Sequence, residues 1–419
     1  MTSIAPARRD RERVRRTVGM KNEGLTTPLL NSLIARHERA LIGNYGKLPA
    51  VFVRGRGTTL WDATGKEYLD FFAGFGGTIL GHCHPGLIDA AVRQANTLWQ
   101  VGNQFYTTPQ VRLAEQVREK AFDGRMFFCH SGAEAMEAAL KLARLAGGPG
   151  RTKTISMRQS FHGRTFGALS ATCGPAQEGF APLLAGFVYV PFNDPAALEA
   201  QMDSTTSAVI VEPVQGEGGV NMPDQDYLPR VRRLCDQHGA TLILDEVWTG
   251  VGRTGKYFGH QHYGMVPDIM TLGKALGGGL PVGGILASPR LAAFFKPGTH
   301  GCTLGGNPIC AAVGSAVFDL LERENLPAHA ARCGTFLMDA IRNLPCAGRR
   351  IVQVRGLGLF IGVELAIPDA TTVVRAALER GLVINVTQKN ILRLAPALIV
   401  NEPQMQRALD ILGRVLESV

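Results

Sequence analysis

The amino-acid sequence predicts an α/β fold in which helices cover a mostly parallel sheet, with a smaller α+β domain at the C-terminal end. Four short segments rich in apolar and β-branched residues have the length of buried strands. Segments with helical spacing of apolar residues fall between them, and this alternation is typical of a parallel sheet. The strand-like segments are 154–157, 208–212, 241–245 and 268–272, and the clearest helical ones are 134–146 and 227–238.

The pattern changes after about residue 315 to a helix, a glycine-spaced strand segment at 356–365, short strands and a final helix. We therefore expect an N-terminal arm (1–40), a segment that packs with the small domain (41–70), a large domain (71–315) and a small C-terminal domain (316–419). A chain of 419 residues is long enough for two packed domains. Ligands of parallel sheets bind beyond the carboxyl ends of the strands, so residues that follow those strands are candidates for function.

Composition describes a globular, cytoplasmic protein. Hydrophobic residues make up 45% and charged residues 19% of the chain, and there is neither a membrane-length apolar run nor a signal segment. The net charge of +9 is concentrated at the N-terminus, where residues 1–16 carry six arginines against Asp10 and Glu12 and so supply +4 of it. Without a basic-aromatic cluster elsewhere, this charge does not predict nucleic-acid binding.

The eight cysteines are scattered without a C-x-x-C pair, which favours reduced thiols over disulfides or a zinc site. Two histidine pairs, His82 with His84 and His260 with His262, have no further ligand at a recognised spacing. We therefore expect no metal.

Lys274 follows the strand-like segment 268–272 and precedes three glycines. An amine at the end of a buried strand is desolvated, which lowers its pKa and lets it attack a carbonyl to form an imine. The alternative is a surface lysine at the start of a helix.

Two further groups lie at comparable positions. Ser131 and Glu134 form a capping box, and the free amides of that helix start are suited to a phosphate, although an ordinary helix cap explains the same residues. Asp245 ends the strand 241–245, where a buried carboxylate needs a partner. A protonated pyridine nitrogen is one such partner, and a cap or an arginine pair is the alternative. An imine-forming lysine, an aspartate and a phosphate site are together what pyridoxal phosphate needs.

Beyond these residues, nearly every block from Asn44 onward resembles the class III, fold type I aminotransferases, within them the ornithine and acetylornithine subgroup. The matching stretches are Asn44-Tyr45 with Leu48-Pro49, Tyr68 to Phe71, Gly81 to Pro85, Ser131 to Ala135, Phe161 to Thr165, Val211 to Glu217, Asp245 to Val247 with Thr249-Gly250 and Gly252 to Gly255, Gly273 to Leu276, and His300 to Thr303 with Gly305 to Pro308. The resemblance covers roughly nine-tenths of the chain and implies a seven-stranded sheet in the large domain.

The resemblance also implies roles for individual residues. Lys274 would form the imine with pyridoxal phosphate, and Asp245 would keep the ring nitrogen protonated. Phe161 would stack on the ring, with Glu212 and Val247 also at the cofactor. The phosphate would be held by Ser131, Gly132 and Ala133, helped by Thr303 of the neighbouring subunit, so a homodimer with shared sites is expected.

On the substrate side, the resemblance assigns Arg393 to the α-carboxylate of glutamate or 2-oxoglutarate. Glu217 would pair with Arg393 when a terminal-amine substrate occupies the site, because one pocket must accept a carboxylate in only one half-reaction. Arg164 would hold the far carboxylate with help from Tyr45. From the residues alone, a surface arginine at a strand edge is the favoured interpretation of Arg393, and a structural ion pair that of Arg164.

Four positions depart from the family pattern. Trp248 stands where glutamine is common near the cofactor's phenolic oxygen, Met136 where asparagine or glycine is found, and His130 where asparagine precedes the serine. Phe75 occupies a variable position of the substrate pocket that is often tyrosine. These departures bear on the identity of the substrate.

The expected activity is therefore that of an ω-aminotransferase that passes the terminal amine of ornithine or N-acetylornithine to 2-oxoglutarate. Glutamate and a semialdehyde would form by ping-pong exchange through the aminated cofactor. The first alternative, motivated by Trp248, is a glutamate-dependent aminotransferase of a specialised biosynthetic pathway. The second is a regulator that keeps the fold without catalysis.

Overall fold

The computed structural model of the chain describes residues 27–418. Most of the expected N-terminal arm, including the six arginines of residues 1–16, lies outside these residues. The described residues form two units by mutual contact: 27–54 with 61–67, and 55–60 with 68–418. The predicted boundary at 315 lies within a helix, Pro308–Arg323, and the four predicted regions stay a prediction.

The strands are listed here in chain order. They are β1 (Phe52–Arg56), β2 (Thr59–Asp62), β3 (Glu67–Asp70), β4 (Arg125–Cys129), β5 (Lys153–Met157), β6 (Phe187–Val190), β7 (Thr206–Val211), β8 (Thr241–Asp245), β9 (Ile269–Leu272), β10 (Gly283–Ala287), β11 (Ile351–Leu357), β12 (Phe360–Leu365), β13 (Leu382–Val383), β14 (Asn385–Thr387) and β15 (Ile391–Leu394).

The helices follow the same order. They are α1 (Thr27–Ala40), α2 (Ala73–Gly76), α3 (Pro85–Ala95), α4 (Thr108–Lys120), α5 (Gly132–Gly147), α6 (Phe166–Ala171), α7 (Pro195–Glu199), α8 (Tyr227–His238), α9 (Pro289–Ala292), α10 (Pro308–Arg323), α11 (Leu326–Arg342), α12 (Ala347–Arg350), α13 (Thr371–Glu379) and α14 (Glu402–Ser418), with 3₁₀ turns at Pro175–Gln177, Gly259–His262 and Lys274–Gly277.

The central sheet has seven strands in the order β4-β10-β9-β8-β7-β5-β6. Every pair from β6 through β9 is parallel, and β10 runs antiparallel to both of its neighbours. The predicted mostly parallel sheet is confirmed, and so are the four strand segments to within two residues at each end. The carboxyl ends of β4, β5, β7, β8 and β9 consequently meet at one edge.

Helices cover both faces of this sheet because neighbouring residues of a strand point to opposite sides. On β8, Leu242 and Leu244 pack in a cluster with α8, whereas Ile243 packs in a second cluster with α5. All three side chains are fully buried. This burial on both faces explains the continuous apolar strand sequence.

The C-terminal part of the chain contains an antiparallel sheet in the order β11-β12-β15-β14. Its register places Arg393 opposite both Gly362 and Asn385. The short strand β13 instead pairs in parallel with β3, through Leu382 with Leu69 and Val383 with Asp70. Residues 69–70 are thereby joined to the C-terminal part of the chain, and the expected packing of the 41–70 segment with a small domain stays a prediction.

Residues 27–418 contain no helix that is both long and apolar enough to cross a bilayer. All eight cysteines are free thiols, four of them buried. The cytoplasmic location stays a prediction.

Candidate active site

The candidate residues converge because four chain segments leave the sheet at the same edge. Asp245 is the last residue of β8, Glu212 follows β7, Lys274 lies two residues after β9, and Ser131 lies two residues after β4. These four candidate residues thus lie at the edge of the sheet where parallel sheets bind their ligands.

Lys274 begins the 3₁₀ turn that follows β9, with a left-handed backbone φ of +40°. Burial lowers the pKa of its amine to about 8, against the opposing effect of the carboxylates of Asp245 and Glu217. The Nζ atom lies 4.6 Å from the centroid of the Trp248 ring. The amine of this half-buried lysine therefore lies among the site residues, and a pKa of about 8 leaves roughly a tenth of it neutral at pH 7.

Asp245 is buried, with 5% of its surface exposed. Its Oδ2 atom lies 2.7 Å from Nδ1 of His162, and its Oδ1 accepts a hydrogen bond from the Val247 amide at 3.1 Å. The partner that the sequence required is thus a histidine and not an arginine. The sequence did not predict this role for His162, although His162 follows Phe161 in a recognised motif. The two partners are 83 positions apart, so no local pattern indicates that they pair.

Glu212 is buried between two loops. Its Oε1 accepts from the amide of Phe161 at 3.2 Å and its Oε2 from the amide of Gly216 at 3.0 Å. Burial raises the pKa of the Glu212 carboxyl to about 7, with His162 opposing and Asp245 adding to the shift. This carboxyl therefore fixes the loop that presents Phe161.

The start of α5 lies against the end of β9. Ser131 caps the helix by accepting from the Glu134 amide at 3.2 Å. A Cβ on Gly132 would lie 2.8 Å from Val247 Cγ2, and a Cβ on Gly273 would lie 2.9 Å from the Gly132 nitrogen. Only glycines permit this approach, which brings the free helix amides next to the segment that carries Lys274.

Arg393 is fully buried on β15, which rules out the surface-arginine alternative. Its Nη1 donates to Glu217 Oε1 at 2.7 Å, and its Nε donates to Asn385 Oδ1 at 3.2 Å. The Glu217 side chain is 32% exposed, and its backbone carbonyl is held by Gln388 Nε2 at 2.9 Å. The structure thus joins the predicted pair, and the acidic partner is the solvent-accessible one.

The remaining predicted residues lie in more exposed positions. Arg164 is exposed, its Cζ lies 5.5 Å from the Phe161 ring centroid, and within residues 31–418 it makes no ion pair. Phe75 is 48% exposed with a left-handed φ of +58°. Thr303 is exposed on a turn, and Tyr45 is 66% exposed in the smaller unit. The roles of Thr303 and Tyr45 stay predictions.

Two of the sequence departures have structural explanations. Met136 is fully buried in the cluster between α5 and the sheet. His130 Nδ1 lies 3.2 Å from Glu134 Oε1 and 3.4 Å from Cys302 Sγ. Within the described residues, the only group of potential metal ligands consists of His130, Glu134 and Cys302. The hydrogen bonds around the helix cap account for their proximity.

The two histidine pairs are each divided between separate contacts. His82 Nε2 lies 2.8 Å from Asp70 Oδ2, while His84 caps α3. His260 Nδ1 lies 3.0 Å from Glu246 Oε1, while His262 contacts Thr254 at 3.1 Å. The expectation of no metal stays a prediction.

Three buried polar atoms in this region have no hydrogen-bond partner among the described residues: His162 Nε2, Trp248 Nε1 and Arg393 Nη2. Each such atom carries a desolvation cost that a bound polar group would relieve. With an amine of lowered pKa, an aspartate at a strand end and free helix amides, the site has the groups that pyridoxal phosphate requires. The residues present therefore fit that cofactor.

Comparison with known proteins agrees with this fit. The family model described as aminotransferase class-III matches residues 42–416. An acetylornithine aminotransferase of Caldanaerobacter subterraneus is 44% identical over 392 residues, covering 92% of this chain and 100% of the relative. The crystal structure of the ornithine aminotransferase from Toxoplasma gondii matches with a TM-score of 0.90 at 33% identity, over 97% of this chain and 98% of that one. A second structure of that enzyme, with a TM-score of 0.89 and 32% identity over 98% of both chains, has pyridoxal phosphate at partial occupancy in its active site.

Proposed function

The chain belongs to the class-III aminotransferases, which are pyridoxal-phosphate enzymes, and we propose that it moves the terminal amine of an ornithine-like substrate to 2-oxoglutarate. The products are glutamate and a semialdehyde. The relatives named for ornithine or N-acetylornithine support this substrate class. Both amino acids remain candidates.

The observation that carries the proposal is the pair formed by Arg393 and Glu217. Arg393 is fully buried and retains an unpaired Nη2, while Glu217 contacts the other terminal nitrogen from the solvent side. If Glu217 withdraws, a carboxylate ligand can accept hydrogen bonds from both terminal nitrogens of Arg393. If Glu217 stays, an amine-terminated ligand meets an ion pair without net charge. Such a pocket suits a reaction in which only one of two alternating substrates presents a carboxylate there.

The chemistry of amine transfer requires a proton to move at the substrate carbon. The cofactor, when bound, supplies a ring that accepts the electrons released from the broken C–H bond. Asp245 keeps the ring nitrogen protonated, and His162 fixes the orientation of that carboxylate. Lys274, whose pKa is about 8, is suited to take up and return the proton at neutral pH. Arg164 holds the far carboxylate of either substrate.

We also infer that two copies of the chain share their active sites. The segment 98–106 exposes large aromatic side chains, with Trp99 at 68% and Tyr106 at 99% exposure. Asn103 Nδ2 in this segment donates to the Cys302 carbonyl at 3.0 Å, next to Thr303. An exposed apolar patch attached to this turn supports a homodimer in which Thr303 reaches the partner's phosphate site.

The proposal is tested by a substrate panel. Purified enzyme is given ornithine or N-acetylornithine with 2-oxoglutarate, and glutamate and semialdehyde are quantified, with Lys274→Ala as the control. Turnover confined to glutamate as donor with aldehydes or ketones that do not derive from amino acids would favour the specialised aminotransferase, which the aromatic Trp248 motivates. A cofactor absorbance that does not change on addition of glutamate would favour the non-catalytic regulator.

A further inference from the structure

Trp248 is the departure from the family pattern whose ring lies against both Lys274 and Arg393. It is 6% exposed, and its indole stacks on Phe360 with ring centroids 4.9 Å apart and planes 9° from parallel. Phe360 belongs to β12, so the indole joins the end of β8 to the C-terminal sheet that carries Arg393. This side chain is thus held rigidly at the junction where the carboxylate-binding arginine lies.

The backbone around Trp248 leaves room for an indole. A Cβ on Gly76 would lie 2.5 Å from its Cζ3, and a Cβ on Gly216 would lie 2.7 Å from its Cδ1. Both are shorter than any ordinary contact, so a side chain at either position displaces the ring. The ring therefore has one defined position between two glycine segments.

Two positive groups lie over this ring. The Arg393 guanidinium carbon is 4.5 Å and the Lys274 amine nitrogen 4.6 Å from the ring centroid. A cation over an indole is attracted by its π electrons, most strongly where water is excluded, as it is around Arg393. Glu217 and Asn385 hold Arg393 by hydrogen bonds along its edge, whereas the indole supports its face.

We propose that Trp248 is a specificity-determining positioning residue whose aromatic face holds the Arg393 guanidinium in place when Glu217 leaves it. This inference rests on the proposed function, because it assumes that Arg393 receives the carboxylate of glutamate or 2-oxoglutarate. At that moment Arg393 exchanges its ionic partner, while the hydrogen bond from its Nε to Asn385 and the contact with the Trp248 ring persist. The orientation of Arg393 toward an incoming carboxylate then depends on the aromatic ring.

The test compares Trp248→Phe with Trp248→Leu in the cofactor-loaded enzyme. Both variants remove the indole N–H and both are apolar, but only phenylalanine keeps an aromatic face. The ligand is glutarate, a dicarboxylate without the carbonyl group needed to accept an amine, and its Kd is measured by titration calorimetry. Trp248→Leu is expected to weaken glutarate binding roughly tenfold, and Trp248→Phe by less than about threefold.

A kinetic comparison separates this role from a general structural one. In Trp248→Leu the KM for 2-oxoglutarate rises about tenfold, whereas the KM for the amine donor, whose carboxylate is proposed to bind Arg164, changes by less than about twofold. Trp61→Leu serves as the matched control, since Trp61 also has an arginine over its ring, with Arg54 Cζ at 3.9 Å. Its glutarate affinity is expected to equal that of the wild type.

The outcomes are distinguishable. Equal loss of glutarate affinity in the phenylalanine and leucine variants, or no loss in either, overturns the role of the aromatic face. A parallel rise of both KM values in Trp248→Leu also overturns it, because a distorted site and not a mispositioned arginine would then be the cause. If the wild-type enzyme does not bind glutarate at all, the proposed use of a dicarboxylate acceptor fails and the inference falls with it.

Discussion

Replacing Glu217 with glutamine is expected to lower stability and raise affinity for dicarboxylates together. The substitution removes the negative partner 2.7 Å from Arg393, whose guanidinium is fully buried. Breaking a buried pair costs about 3–5 kcal/mol, and because Glu217 is 32% exposed we discount this for solvent screening to roughly 2 kcal/mol. In the wild type a ligand carboxylate must displace Glu217, whereas in Glu217→Gln it does not. The variant should therefore bind glutarate more tightly by the same roughly 2 kcal/mol, which is about thirtyfold.

The assay pairs urea unfolding of the cofactor-loaded enzyme with glutarate titration. At saturating glutarate the stability difference between wild type and Glu217→Gln should shrink, since the ligand then neutralises Arg393 in both proteins. Glu364→Gln is the matched control, because Glu364 pairs with Arg355 at 2.6 Å and its side chain is 29% exposed. That variant should lose stability without any gain in affinity. A Glu217→Gln enzyme that behaves like Glu364→Gln would refute the competition between Glu217 and the ligand.

Three further predictions concern other parts of the site. The pKa of Lys274 is lowered from 10.5 to about 8 in the folded chain. Between pH 8 and pH 10.5 the unfolded chain therefore keeps a proton on this amine that the folded chain has lost. The unfolding free energy of the cofactor-free protein should therefore rise with pH across that window by up to roughly 3 kcal/mol relative to a Lys274→Met variant, and a parallel pH dependence of the two by urea titration would contradict this. Gly76→Ala places a Cβ 2.5 Å from Trp248 at a backbone φ of +78°, so about 2–3 kcal/mol of stability should be lost. Thermal unfolding should show part of that loss recovered in the double variant with Trp248→Leu, and an additive loss would exclude the clash. Tyr106→Asp, at a position that is 99% exposed, should convert the dimer to monomer in sedimentation analysis and weaken cofactor retention, whereas an unchanged dimer would place the interface elsewhere.

The fold was predictable because its signals are local. Short strand segments alternate with helical segments, and β7, β8 and β9 are buried at every position, so their sequences are largely apolar. The capping residue Ser131 marks the start of α5 one residue before its observed first residue. The predicted order of strands and helices required no knowledge of distant contacts.

The contacts between site residues were harder to predict from the sequence. Asp245 was expected to need a partner, yet His162 could not be chosen from the sequence because 83 positions separate them. For Arg393 and Glu217, 176 positions apart, the pairing came from a family resemblance and not from the residues themselves. Such pairings depend on how strands from different parts of the chain are aligned, which local pattern does not encode.

By itself, then, the sequence determined the α/β class, the edge of the sheet at which function resides, and an amine, a carboxylate and a helix start placed there. The tertiary structure alone decided that His162 orients Asp245 and that Glu212 fixes the Phe161 loop. It also decided that the indole of Trp248 lies under both Arg393 and Lys274. The physical reason is that strand length and periodicity are set by neighbouring residues, whereas desolvation, ion pairing and ring contacts arise only where remote segments exclude water together.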